Sequence, residues 1–285
     1  MEPIDPGALT ASSGNGAGPG PPLRLGGMAL RNGLLIHGPH AWAAAARAPD
    51  GSIGVASGPK PSFTPGSLGR TPFLRGPLRL LEALAIVPIA RRKLPTARLP
   101  FEDTRVALTA LATIAFTNAI RSGQPDEAPS PVREAIASAL SLAPALVALR
   151  ASDLAAYHAV EHKAIAAYEA GTGDAAAAAK EHERCGSNLL APLLVLSLAG
   201  QLAVEWLFEE PGQIARGAAG LASVSLSVEM FAWAERHPDS AFTRAFRRPG
   251  NEIQRLIATR EPTAEQLEVG SAALAEVLRL EGMLR

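Results

Sequence analysis

Four apolar segments separated by charged loops constrain this chain more than any other feature: VALTALATIAFTNAI at 106–120, AIASALSLAPALVAL at 135–149, LLAPLLVLSLAGQLAVEWLF at 189–208 and GAAGLASVSLSVEMFAWA at 217–234. A membrane-crossing helix wants roughly 17 to 25 mainly apolar residues. The third segment has a comfortable length, while the first two are short and also fit a soluble Ala-rich bundle. The flanking charge argues for crossing. If all four cross, three basic clusters fall on one side: Arg91, Arg92, Lys93, Arg98 and Arg105 before the first, Arg150, Lys163, Lys180 and Arg184 between the second and third, and Arg236, Arg244, Arg247 and Arg248 after the fourth. The other side has Arg121, Arg133 and Arg216. This is the positive-inside pattern, with both termini and the central loop in the cytoplasm. A fifth apolar stretch, LLEALAIVPIA at 80–90, is too short to span and reads as interfacial or re-entrant.

The fold expected is mainly α: a polytopic helical membrane protein of about four spans and one further short apolar helix. Residues 1–22 are rich in Gly, Pro and Ser and read as a disordered tail without a signal-peptide pattern. A small β-hairpin-like module occupies 23–75, where Pro49-Asp50-Gly51 separates short runs at 41–48 and 52–57. The helical membrane domain covers 76–249, with a central loop at 150–188. Residues 250–285 form a cytoplasmic segment whose amphipathic helix starts at Thr263, with Gln266 three residues on to complete the N-terminal cap.

Composition narrows the function classes. Hydrophobic residues make up 47% of the chain and charged residues 19%, which leans towards a lipid bilayer as the principal partner. Lys+Arg and Asp+Glu balance at 27 each, so the basic surface a nucleic-acid binder needs is missing. Cys185 is the single cysteine, so no intrachain disulfide forms and its thiol is expected to stay reduced.

The chemistry concentrates in the central loop. His158, His162 and His182 lie within 25 residues of one another, and Cys185 follows. Asp153 can cap a helix from Leu154 to about Ala170, stopped by Gly171 and Gly173. On that helix His158, Glu161, His162, Ile165 and Glu169 fall on one face, because three, four and seven residues approximate whole turns. The run His158-Ala-Val-Glu161-His162 spells H-x-x-E-H, the order in which two histidines hold zinc and the glutamate takes a proton from the attacking water. His182 and Cys185 add a nitrogen and a sulfur three residues apart. The set His158, His162, His182 and Cys185 suits a divalent metal, zinc above others. The competing reading of a lone H-x-x-E-H is a polar helix face. Tyr157 and Tyr168 fit a membrane interface or ordinary packing, and Lys163 and Arg184 read as solvated or lipid-facing cations. Glu205 and Glu229 lie inside apolar spans, where a carboxylate needs a partner. Glu205 can reach the headgroups, whereas Glu229, with Glu169, is a candidate to buttress a histidine or add a ligand.

These motifs resemble a known family. Tyr157-His158-Ala-Val-Glu161-His162-Lys163 with Tyr168-Glu169, followed by His182-x-Arg184-Cys185-Gly186, is similar to the bacterial YqhQ-like family, membrane proteins of unknown function described as predicted metal-dependent enzymes. Gly26-Gly27, Pro49-Asp50-Gly51, Arg70-Thr-Pro-Phe-Leu-Arg75-Gly76, Glu229, Thr259-Arg260-Glu261-Pro262 and Gln266-Leu-Glu268-Val follow in the same order. The resemblance implies several transmembrane helices and a metal site, and supplies no substrate. The chain departs from it at Asn32, where an acidic residue is usual, and at His37, where a basic one is.

Two function classes follow. One is a metal-assisted hydrolase or related lyase at the cytoplasmic face of the bacterial inner membrane, with Glu161 as general base. Four protein ligands would close a zinc site, so catalysis requires one of them, most easily Cys185, to stand back. The other is a non-catalytic scaffold or assembly factor in which the same residues form a structural clasp. A transporter with Glu229 as relay is weaker, because the sequence shows no inverted repeat.

Overall fold

The computed structural model describes residues 22–64, 66–122, 130–209 and 211–282. Apart from Pro22, the tail expected at 1–22 lies outside the described residues. The chain opens with four strands, β1 (Gly26–Leu30), β2 (Gly33–His37), β3 (Ala41–Arg47) and β4 (Ile53–Pro59), and continues through helices α1 (Arg75–Lys93), α2 (Thr104–Ser122), α3 (Pro131–Leu140), α4 (Ala143–Ala151), α5 (Leu154–Glu169), α6 (Leu190–Leu207), α7 (Gln213–Arg236), α8 (Ala241–Ile253) and α9 (Ala264–Leu280).

The strands form an antiparallel meander in the order β1-β2-β3-β4. The hairpin expected around Pro49-Asp50-Gly51 is β3–β4, with Ala44 opposite Ala56. Two further strands precede it, and Leu35 of β2 faces Ala44 of β3. Both faces of this sheet are covered. On one face Leu34, Ile36, Ala43 and Ala45 pack with Tyr157, Val160 and Ile165 of α5 and with Val269, Ala273 and Val277 of α9. On the other, Leu30, Leu35, Trp42, Ala44 and Ala46 pack with Ile86 and Ala90 of α1 and with Leu94, Ala97 and Leu99 after it. Two-sided burial explains why β3 reads as an unbroken apolar run instead of an alternating one. The stretch expected at 80–90 to be interfacial or re-entrant is the middle of the 19-residue α1, whose inner side is fixed on the sheet while Leu80, Leu81 and Leu84 are exposed.

Three helical stretches are long and apolar enough to cross a membrane: Pro131–Ala151, which joins α3 and α4, Gly186–Leu207 and Gln213–Arg236. Thr104–Ile120 is a shorter apolar helix. Their outward side chains match that composition, since Leu108, Leu111, Ile114, Phe116, Val195, Ile214 and Leu221 are all exposed. Apolar surface on this scale is what a membrane protein presents to lipid. The acidic residues within these helices are paired. Glu205 of α6 accepts from Arg216 of α7 at 3.2 Å. Glu229 of α7 accepts from Arg75 Nε at 2.9 Å and from the Phe73 amide at 3.1 Å.

Candidate metal centre

α5 carries the centre and runs as expected from Leu154 to Glu169, with Gly171 and Gly173 at φ of 65° and 66° ending it. The start differs in detail. The Asp153 carboxylate makes no cap and pairs with Arg260 at 2.5 Å, while Ser152 Oγ accepts from the Leu154 amide at 3.3 Å.

His158, His162 and Cys185 bring one donor atom each within 4.8 Å of one another. The orientation of both imidazoles is set by backbone. His158 Nδ1 donates to the Ala258 carbonyl at 2.9 Å, and His162 Nδ1 donates to the Lys180 carbonyl at 2.6 Å. In this tautomer each Nε2 presents a lone pair, the arrangement that metal-binding histidines use. His158 Nε2 lies 3.3 Å from Cys185 Sγ. His162 Nε2 is buried without a hydrogen-bond partner. A buried nitrogen with its lone pair free, beside a second imidazole and a thiol, fits a borderline-soft divalent ion.

His182 stands aside. Its ring is 5.7 Å from that of His162, and it is absent from the group of donors that converge. Its Nδ1 accepts from the Arg184 amide at 3.3 Å, and its Nε2 is 3.5 Å from Glu169 Oε2. Burial, reinforced by His162, pushes the His182 pKa down to about 4, so the ring is neutral near pH 7 and its contact with Glu169 is no ion pair. Glu169 also accepts from Arg184, so it buttresses the flank of the centre as a carboxylate between these two residues. Cys185, expected to be the easiest ligand to stand back, is instead in the cluster.

Glu161 and His162 differ by one helical step of about 100°, and they meet different neighbours: Glu161 lies against Gly27 of β1, whereas His162 bonds to the Lys180 carbonyl in the loop after α5. A Cβ on Gly27 of β1 would lie 2.7 Å from Glu161 Cδ, so the carboxylate sits against the only residue type in β1 that leaves it room. Ile165 enters the same sheet-facing core. Burial raises the Glu161 pKa to about 7, with nearby His158 pulling it back down. Glu229 does not join the centre, because its carboxylate is held by Arg75 and Phe73.

The loop after α5 is fastened by Lys180 and by Lys163, the latter expected from the sequence to lie in solvent or lipid. Lys163 is 3% exposed, with Nζ donating to the Ala176 and Ala178 carbonyls at 3.1 and 2.7 Å and pairing with Glu261 at 2.7 Å. Lys180 Nζ donates to the Arg255 carbonyl at 3.0 Å. Tyr157 is a core residue, and Tyr168 accepts from the Leu23 amide at 3.1 Å. Gln254 and Ala258 support the centre and gave no sequence signal. Gln254 is fully buried, accepting from the His182 amide at 2.8 Å and donating to the His182 carbonyl at 3.2 Å. It opens a π-helical turn, Gln254–Ala258, whose last carbonyl orients His158.

Fold and site together define a class: a helical protein with membrane-length apolar helices and a partly buried His-His-Cys cluster that could hold a metal ion. Residues 148–280 match the model of a family described as "Protein of unknown function (DUF1385)", a stretch that contains all three clustered residues and the π-helical turn. No curated protein and no solved structure matches the chain.

Proposed function

We propose that the protein is a metal-dependent membrane enzyme, a hydrolase or related lyase, whose centre faces the cytoplasm. The observation that carries this reading is the unpartnered, buried His162 Nε2 among donors from His158 and Cys185, with both rings locked by backbone carbonyls. Three protein donors leave a coordination position open, which is the pattern of catalytic and not of closed zinc sites. A divalent ion held there, zinc by its donor set, would supply Lewis-acid activation of a substrate oxygen. Glu161, whose buried carboxyl is pushed up to about 7, is the group on α5 suited to take up and return a proton. The similarity to the YqhQ-like family and the one-sided Lys/Arg distribution support the bacterial inner membrane and the cytoplasmic side.

A structural clasp is the second reading, favoured by one observation: the centre joins α5, the central loop and the turn at 254–258 through Lys163, Lys180 and Gln254. Metal content measured by mass spectrometry on the detergent-purified chain tests both. About one late first-row metal per chain is expected in the wild type, with His158→Ala and His162→Ala losing it and His182→Ala keeping it. Full occupancy in a His158→Ala/His162→Ala double variant would refute the centre. Glu161→Gln keeps the metal under either reading. It lowers in-cell function by roughly 10²- to 10⁴-fold if the carboxylate moves a proton, and full complementation would leave the clasp.

A further inference from the structure

A hollow lies on the α1 side of the sheet, away from α5. It has a volume of about 420 Å³ and is lined by Arg31, Pro49, Arg91, Pro95, Thr96, Arg98 and Glu102. These residues come from the β1–β2 turn, the β3–β4 turn, the last turn of α1 and the linker to α2. Asn32 fixes their relation. Its Nδ2 donates to the Arg47 and Thr96 carbonyls, each at 2.9 Å, and its Oδ1 accepts from the Arg98 amide at 2.8 Å. The Arg31 amide donates to the Arg98 carbonyl at 2.9 Å. The linker is thereby stitched to the sheet, and Arg98 is held beside Arg31.

The charges in this hollow do not cancel. Arg31 pairs with Asp103 at 3.0 Å, and Arg91 pairs with Glu102 at 2.8 Å. The Arg98 guanidinium has no side-chain partner among the described residues, although its backbone is fixed on both sides. A surplus positive charge with unused guanidinium donors in a preformed concavity calls for an anion, and planar guanidinium groups match the oxygens of phosphate. The hollow also sits immediately before α2, whose Leu108 and Leu111 are exposed, and Phe101 beside it is 62% exposed. Basic pockets at the foot of apolar helices are where lipid phosphates lodge.

We propose that the hollow bounded by Arg31, Arg91 and Arg98 binds a phosphate-bearing anion, supplied either by an anionic lipid headgroup or by a free phosphate compound. The site is separate from the metal centre, so its failure would leave the proposed activity as it stands. The test uses the full chain in neutral detergent. Native mass spectrometry counts retained phosphatidylglycerol against phosphatidylcholine, and thermal midpoints are read with and without inorganic phosphate. The expected result is one phosphatidylglycerol held in preference to phosphatidylcholine, with binding at least about tenfold weaker in Arg98→Ala. Arg248→Ala, at an exposed position on α8, should bind as the wild type does. Arg98→Glu should abolish binding, and since Arg98 is exposed and supports nothing with its side chain, both variants should keep the wild-type fold. A midpoint raised by inorganic phosphate in the wild type and not in Arg98→Ala, without lipid retention, assigns the site to a free phosphate compound. Absence of both responses, or binding by Arg98→Ala equal to that of the wild type, overturns the proposal.

Discussion

A buried polar atom without a partner costs on the order of 1–3 kcal/mol, and His162 Nε2 is such an atom. That cost is offset when the lone pair ligates an ion, which makes the nitrogen informative about function as well as about stability. The thiol in the same cluster depends on a close approach that no motif announces. Asn188 lies in the short turn Gly186–Leu189 directly after Cys185, and a Cβ on Gly250 of α8 would stand 2.1 Å from its Oδ1 and 2.6 Å from its Cα. The second of these is backbone, so an added methyl group cannot be absorbed by a rotamer change. Gly250→Ala should therefore push the turn off α8, destabilise the fold by about 1–3 kcal/mol and lower metal retention through Cys185. Thermal midpoint and metal content measure the two effects. An unchanged midpoint would mean that α8 and the turn have slack, against the packing seen here.

At the scale of elements, legibility follows whether the cause is local. The extent of α5 was readable because glycines at 171 and 173 adopt the positive φ that ends a helix. The start of α9 was readable for the same reason: Thr263 Oγ1 accepts from the Gln266 amide at 3.3 Å, and Gln266 Oε1 accepts from the Thr263 amide at 3.0 Å. Histidine spacing likewise placed His158 and His162 together. What stayed hidden depends on contacts distant in sequence. β1 and β2 are short and lack alternation because α5 and α9 cover one side of the sheet while α1 covers the other. Nothing near His182 in sequence says that Gln254 and Glu169 hold it back from the cluster. Lys163 looked like a surface cation because its three acceptors lie 13, 15 and 98 positions along the chain. Since α9 seats Val269, Ala273 and Val277 on the sheet, its cap has consequences beyond the first turn. Thr263→Ala should cost about 1 kcal/mol and lower the thermal midpoint, while Thr263→Ser should restore most of it. Equal stability of the Ala and wild-type chains would show that packing alone fixes the helix start.

For the whole molecule, the shared core sets a rule on crossings. The sheet, α5 and α9 pack into one hydrophobic cluster, so they occupy one compartment whatever the membrane does. Between the sheet and α5 the chain passes through α2 and then α3–α4, and between α5 and α9 it passes through α6 and α7. The number of crossings in each interval must be even. If Pro131–Ala151 crosses, as its length permits, the shorter α2 must cross as well, or α5 would be parted from β1 and β2. α2 is 19 residues long in its helical extent, about 28 Å at 1.5 Å per residue, close to the roughly 30 Å of a hydrocarbon core. If Pro131–Ala151 and Gly186–Leu207 both cross, the rule requires four crossings, although the first segment looks short in the sequence. We predict that the protein stays with membranes through carbonate extraction, that reporter fusions after residue 126 read outside and that fusions after 175 read inside. A fusion at 126 on the same side as one at 175 would remove α2 and α3–α4 from the bilayer together, and outside at 175 with inside at 126 would reverse the sidedness of the metal centre.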